Sequence, residues 1–138
     1  MTQEDKQLLL KDLAARVPYG IMVEQTLFPP SLADKEQRLK SVQANNVVQL
    51  YWYKYINEFV PIHCIKPYLR PMSSMTEEEK KEFNSLINGV EERCINAYGK
   101  GGYTLAFIEV NDWLNAHHFD YRGLIEKGLA LEAPEEMY

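Results

Sequence analysis

The stretch that most constrains this chain is a proline-punctuated connector, PIHCIKPYLRPMSSMTEEE, over residues 61–79. Pro61, Pro67 and Pro71 each fix their own φ and bias the residue before them away from the α region. The stretch therefore predicts an extended or turning connection. Thr76 then opens a helix, and Glu79 three residues on completes a capping box, in which hydroxyl and carboxylate satisfy each other's free backbone N–H groups. The patterning differs on the two sides of this connector.

Before it, Thr2 is placed to cap a first helix whose stripe is Leu9, Leu13 and Val17, flanked by Leu10 and Ala14, with Pro18 and Gly20 as the stop. Short alternating runs follow. Residues 20–27 read as a strand with Ile21, Val23 and Leu27 on one face, and residues 28–37, containing Pro29 and Pro30, as a loop. Residues 38–43 read as a second strand, with Leu39 facing opposite to Arg38, Lys40 and Val42. Ala44, Asn45 and Asn46 signal a turn. The run VVQLYWYKY, residues 47–55, is β-branched and aromatic and predicts the third strand, hairpin-paired with the second. Residues 59–62 predict a short edge strand, where Pro61 costs little.

After the connector the spacing is helical. Phe83, Leu86, Ile87, Val90 and Cys94 make one amphipathic stripe, stopped by Gly99. Residues 105–117 predict a second helix, striped by Phe107, Val110, Leu114 and His117; a strand over residues 103–107 is the alternative. Asp120 caps a last short helix through Lys127, ended by Gly128. The acidic tail EAPEEMY is expected to fray. The fold class is α+β: a small antiparallel sheet or open barrel of three or four strands over about residues 20–62, covered by an N-terminal helix and two to three C-terminal helices. One domain is expected, with an α/β half over 1–62, a linker over 63–75 and a helical half over 76–138.

The 138 residues are enough to bury a core, and 46% apolar with 25% charged residues is a globular composition. No apolar run approaches the roughly 20 residues of a membrane span. The acidic, amphipathic start does not read as a signal peptide. Cys64 and Cys94 lack metal or redox spacing and suit free thiols in a reducing cytoplasm. Net charge is −5, but it is uneven. Residues 1–34 carry three basic and five acidic side chains, residues 35–70 six and two, and residues 71–138 six and thirteen. A basic middle precedes an acidic C-terminal half.

The segments KPYLRPMSSMTEEEKKE (residues 66–82), DWLNAHHFDYRGLIEKGLALEAPEEMY (112–138) and KDLAARVPYG (11–20) resemble a group of small uncharacterised proteins of Bacteroides-group gut bacteria, associated with prophages or other mobile elements. The resemblance implies a cytoplasmic bacterial protein with an accessory role. It carries over no catalytic residue.

Three residue groups are candidates for chemistry. His117, His118 and Asp120 offer two imidazoles and a carboxylate, the donor types of a metal site or a base with its orienting group. Adjacent helical histidines point about 100° apart, however, and structural roles, His117 at a helix end and Asp120 as a cap, account for the same residues. His63 beside Cys64 suggests nucleophilic chemistry only if the fold supplies a partner; a buried inert thiol is the simpler reading. The third group is an aromatic strand among cations: Tyr51, Tyr53 and Tyr55 share one strand face, near Arg38, Lys40, Lys54, Lys66 and Arg70. If Leu50 and Trp52 turn inward, the tyrosines are left outside, where they can grip a peptide or stack single-stranded nucleic acid. Otherwise they pack beneath a helix. No phosphate loop, nucleophile elbow or dinucleotide fingerprint is present. The expectation is a non-enzymatic module, without cofactor, that binds a protein partner through this strand region. Nucleic-acid binding through the same residues is one alternative, and a small metal- or His-dependent hydrolase is another.

Overall fold

The computed structural model describes residues 1–51, 59–90 and 102–138. Their elements, in chain order, are α1 (Gln3–Arg16), β1 (Met22–Gln25), β2 (Glu36–Gln43), β3 (Val47–Leu50), β4 (Phe59–Pro61), β5 (Ile65–Leu69), α2 (Glu77–Asn88), α3 (Gly102–Ala116) and β6 (Leu131–Glu132). The strands form one open sheet in the order β4-β3-β2-β1-β5-β6. Neighbours are antiparallel except β5 and β6, which are parallel. The α+β class and the open sheet are as expected. The strand count is not: six strands stand among the described residues, where three or four were expected. The two additional strands come from the stretch read as a linker and from the tail read as frayed.

The linker forms a strand because its prolines already hold extended backbone. The Thr26 N–H donates to the Cys64 carbonyl at 2.9 Å, so the alternation of an antiparallel ladder puts Pro67 opposite Val23 in a non-hydrogen-bonded pair. The missing Pro67 N–H points to the far side, which β6 joins only from Tyr68 onward. β5 thus tolerates a proline inside the sheet without losing a bond to β1. The tail is anchored on that same far side, where the Ala133 N–H donates to the Leu69 carbonyl at 2.8 Å.

A β-bulge corrects the expected facing of β2. Leu39 pairs with Leu50, but the next pair is Ser41 with Gln49, which leaves Lys40 as the extra residue. Alternation restarts after it, so Val42 pairs with buried Val48 and joins Leu39 on the core side. The inner face, with Val23, Leu39, Val48, Leu50, Val60, Ile65 and Leu69, buries Leu9 and Leu13 of α1. Each fully buried leucine contributes about 1.5–3 kcal/mol of transfer free energy.

α1 starts at Thr2, whose hydroxyl and the Asp5 carboxylate form a capping box. α2 starts at Thr76 with the matching box to Glu79. α2 closes at Gly89; the expected continuation toward Cys94 and Gly99 lies outside the described residues. α3 is helical as expected, but its buried stripe is Ala106, Val110 and Leu114, while Phe107 is 55% exposed. These residues, with Phe119, Val90, Phe83, Leu86 and Trp113, form a second apolar cluster. The expected last helix over 120–127 is a run of turns instead. Gly123 at φ 70° takes the left-handed conformation, which breaks helical continuation. Asp120 does cap, accepting from the Leu124 and Ile125 N–H groups at 2.9 Å each.

Candidate interaction surface

The outer face of the sheet is built by the same alternation that fills the core. Leu50 turns inward at 3% exposure, so Tyr51 turns outward and is 53% exposed. Its N–H donates to the Arg38 carbonyl at 2.9 Å, which fixes the two chains side by side. The Arg38 guanidinium carbon lies 5.5 Å from the Tyr51 ring centroid and Lys40 Nζ lies 5.8 Å from it, both within cation–π range. The bulge contributes here, because it keeps Lys40 outward beside Arg38. Gly20 lies under Arg38: at φ 70°, a Cβ there would come within 3.2 Å of the guanidinium. Of the expected tyrosine stripe, Tyr51 is placed outward. Tyr53, Lys54 and Tyr55 lie outside the described residues.

The remaining expected cations are not part of this cluster. Lys66 is exposed, but its register partner is Glu24, which is ion-paired to Lys35. Glu36 is also on this side and accepts from the Tyr68 hydroxyl at 3.5 Å, so charge here is mixed. Arg70 has a different role. Its two terminal nitrogens each lie 2.8 Å from a Glu79 oxygen, and its guanidinium sits 4.3 Å from the centroid of buried Phe119. Arg70 clamps the end of β5 to the first turn of α2. The clamp and the Thr76 N–H hold the Glu79 carboxyl down to about 2.

His117, His118 and Asp120 do not converge. His117 Nδ1 donates to the Trp113 carbonyl at 2.8 Å, the only role open to it against an acceptor, and its ring stacks 4.1 Å from Trp113. His118, at φ 62°, turns the other way and stacks 3.6 Å from Tyr138. Burial, with Arg16, Arg70 and His117 nearby, pushes its imidazole down to about 4. The Asp120 oxygens face backbone N–H groups. Among the described residues, no three His, Cys, Asp or Glu side chains gather as a metal site. His63 is exposed, and Cys64 packs half-buried against the core. Cys94 lies outside the described residues.

Two arrangements were missed in the sequence. One is the buried pair Asp12 and Arg16 on the inward face of α1, bonded to each other at 2.8 Å. The signal was present: an acid and an arginine four apart on the same side as Leu9 and Leu13. The other is Tyr138, whose hydroxyl accepts from the Met22 N–H at 3.0 Å and donates to the Tyr68 carbonyl at 2.8 Å. Nothing local to Tyr138 signals this.

No protein-family model, no curated protein and no solved structure matches the chain. Among the described residues, no helix is long and apolar enough to cross a membrane.

Proposed function

We propose that this chain is a non-enzymatic interaction module that holds an acidic protein partner against the outer sheet face at Tyr51. The observation that carries this reading is one exposed tyrosine ring flanked by Arg38 and Lys40. Tyrosine and arginine dominate binding hot spots, because they bring large contact area and fixed polar groups at little ordering cost. Arg38 sits on paired strand backbone and Lys40 on the bulge beside it, flanked by the paired Leu39 and Ser41, so the cluster is preorganised. The setting is the one implied by the resemblance, a bacterial cytoplasm and an accessory role on a mobile element. The same ring-and-cation arrangement supports a second reading, stacking of single-stranded nucleic acid.

The test replaces Tyr51 with a photo-crosslinking phenylalanine in the native host. A protein adduct that disappears when Arg38 and Lys40 are both changed to Glu supports the reading. An adduct digested by nuclease moves the assignment to nucleic acid, and its affinity should then fall steeply with salt. No adduct, or one indifferent to the two charges, removes this surface as the site.

A further inference from the structure

A second feature lies away from Tyr51, where residues distant in sequence meet. A cleft of about 680 Å³ has one wall from Arg70, Thr76 and Glu79 and the other from Glu132, Glu135 and Tyr138. Its size falls within the roughly 300–1,000 Å³ of small-molecule sites. Part of the lining is already fixed. Arg70 and Glu79 form their two-point ion pair, and Glu79 accepts from the Thr76 N–H at 3.0 Å. The Tyr138 hydroxyl is bonded to two backbone groups, and its ring rests on His118. At Arg70, Glu79 and Tyr138 a ligand orders little that is not ordered already; the cost of ordering falls on Glu132 and Glu135.

The charge of the lining selects the ligand. Arg70 is neutralised by Glu79 and covered on one face by Phe119, so it is not open to an anion. The carboxylates of Glu132 and Glu135 have no hydrogen-bond or ion-pair partner among the described residues, and both residues are exposed. Tyr138, 42% exposed, offers a ring surface between these charges and the interior. Behind that ring, the buried His118 imidazole stacks 3.6 Å away and backs the wall. We propose that this cleft binds an organic cation, an amine on an apolar stem, with Glu132 and Glu135 as counter-charges and the Tyr138 ring as the wall along which the stem lies. A methylene stem covers apolar lining while its ammonium groups stay with the carboxylates, and the ring adds cation–π attraction.

The experiment titrates spermidine into the full chain by calorimetry near 0.15 M salt, where loose counter-ion attraction is screened. Saturable one-site binding is expected. The double substitution Glu132→Gln with Glu135→Gln, on exposed side chains that leave the fold intact, should weaken it by about three- to tenfold, the scale of two partly screened charge contacts. Tyr138→Ala should weaken it as well, whereas Arg38→Gln with Lys40→Gln should leave it unchanged. Absence of saturable binding overturns the proposal. So does equal competition by Mg²⁺ at matched ionic strength, which would reduce the site to a diffuse acidic surface, and so does unaltered affinity in the double Gln variant.

Discussion

Asp12 and Arg16 form a two-point ion pair from which solvent is fully excluded: Arg16 Nε lies 2.8 Å from one carboxylate oxygen and Nη2 lies 3.1 Å from the other. The same Nη2 donates to the Phe119 carbonyl at 2.7 Å, and Arg122 reaches the Asp12 carboxylate at 3.3 Å. One carboxylate on the first helix thus pairs with two guanidinium groups, offsetting one of their two charges, and ties α1 to residues 119–122. Tyr121 completes the cluster, with the Arg16 and Arg122 guanidinium carbons 5.3 and 5.2 Å from its ring centroid.

Removing the carboxylate leaves buried positive charge without a partner. Asp12→Asn should therefore cost about 3–5 kcal/mol in urea unfolding at neutral pH. The double change Asp12→Leu with Arg16→Met removes both charges, and it should recover most of that loss. A single variant as stable as the parent would show that the pair contributes nothing net.

Tyr138 occupies a position that backbone would otherwise fill. Hydrogen-bonded pairs of the β1–β5 ladder fall at Cys64 and Lys66, so the next would join Met22 to Tyr68. The Tyr138 hydroxyl stands between those two residues and bonds both. Tyr138→Phe keeps the ring on His118 but leaves the two backbone groups unpaired. The expected loss is about 1–3 kcal/mol, with faster hydrogen exchange at the Met22 amide. Unchanged stability with a protected Met22 amide would mean that the two strands close on each other without it.

Two groups contribute most visibly to the acid limb of stability. His118 titrates near 6.5 unfolded and at about 4 folded, so below 6.5 the unfolded chain binds more protons. Its contribution is complete above about 6.5 and is lost as pH falls toward 4. Glu79 titrates at 4.5 unfolded and about 2 folded. Its contribution is present above 4.5 and is lost between there and about 2. Chemical denaturation at a series of pH values should show stability falling in two successive steps. His118→Asn, which tolerates the positive φ, should flatten the upper step alone. Glu79→Gln, which preserves the cap but not the charge, should flatten the lower one.

The bulge makes a deletion harmless where a deletion is normally ruinous. Losing one residue from a strand turns every later side chain to the other face. Lys40 is already the surplus residue, so its removal leaves Leu39 opposite Leu50, Ser41 opposite Gln49 and Val42 opposite Val48. The Lys40 deletion should fold cooperatively, with the inner face intact and Tyr51 short of one cation. Deletion of Gln37, in the regular part of β2, should unfold the sheet. A far-ultraviolet circular dichroism melt of each variant separates the two cases.

Much of this architecture could be read from local chemistry. Thr2 with Asp5 and Thr76 with Glu79 set the starts of α1 and α2, because a capping box is closed by residues three apart whatever surrounds it. The β2–β3 hairpin followed from a turn signal between two β-rich runs. Alternation, a property of a single strand, put Tyr51 and Leu50 on opposite faces and left open which of the two faces is outward.

What the sequence by itself determined, then, is the α+β class, the starts of α1 and α2, the hairpin and the placing of Leu50 and Tyr51 on opposite strand faces, all consequences of contacts within a few residues; which of those faces is outward was decided by the packing of Leu50 into the core. Only the tertiary structure decided the rest. A proline segment became β5 because β1 offered it a register in which the Pro67 N–H is not needed. The bulge at Lys40 depends on pairing with β3, and the clamp of Arg70 on Glu79 depends on where β5 ends against α2. The acidic tail is ordered because Leu69 and the Met22–Tyr68 gap present unfilled backbone groups to Ala133 and Tyr138. Each of these depends on how separate elements meet, and neither partner carries a local sign of the other.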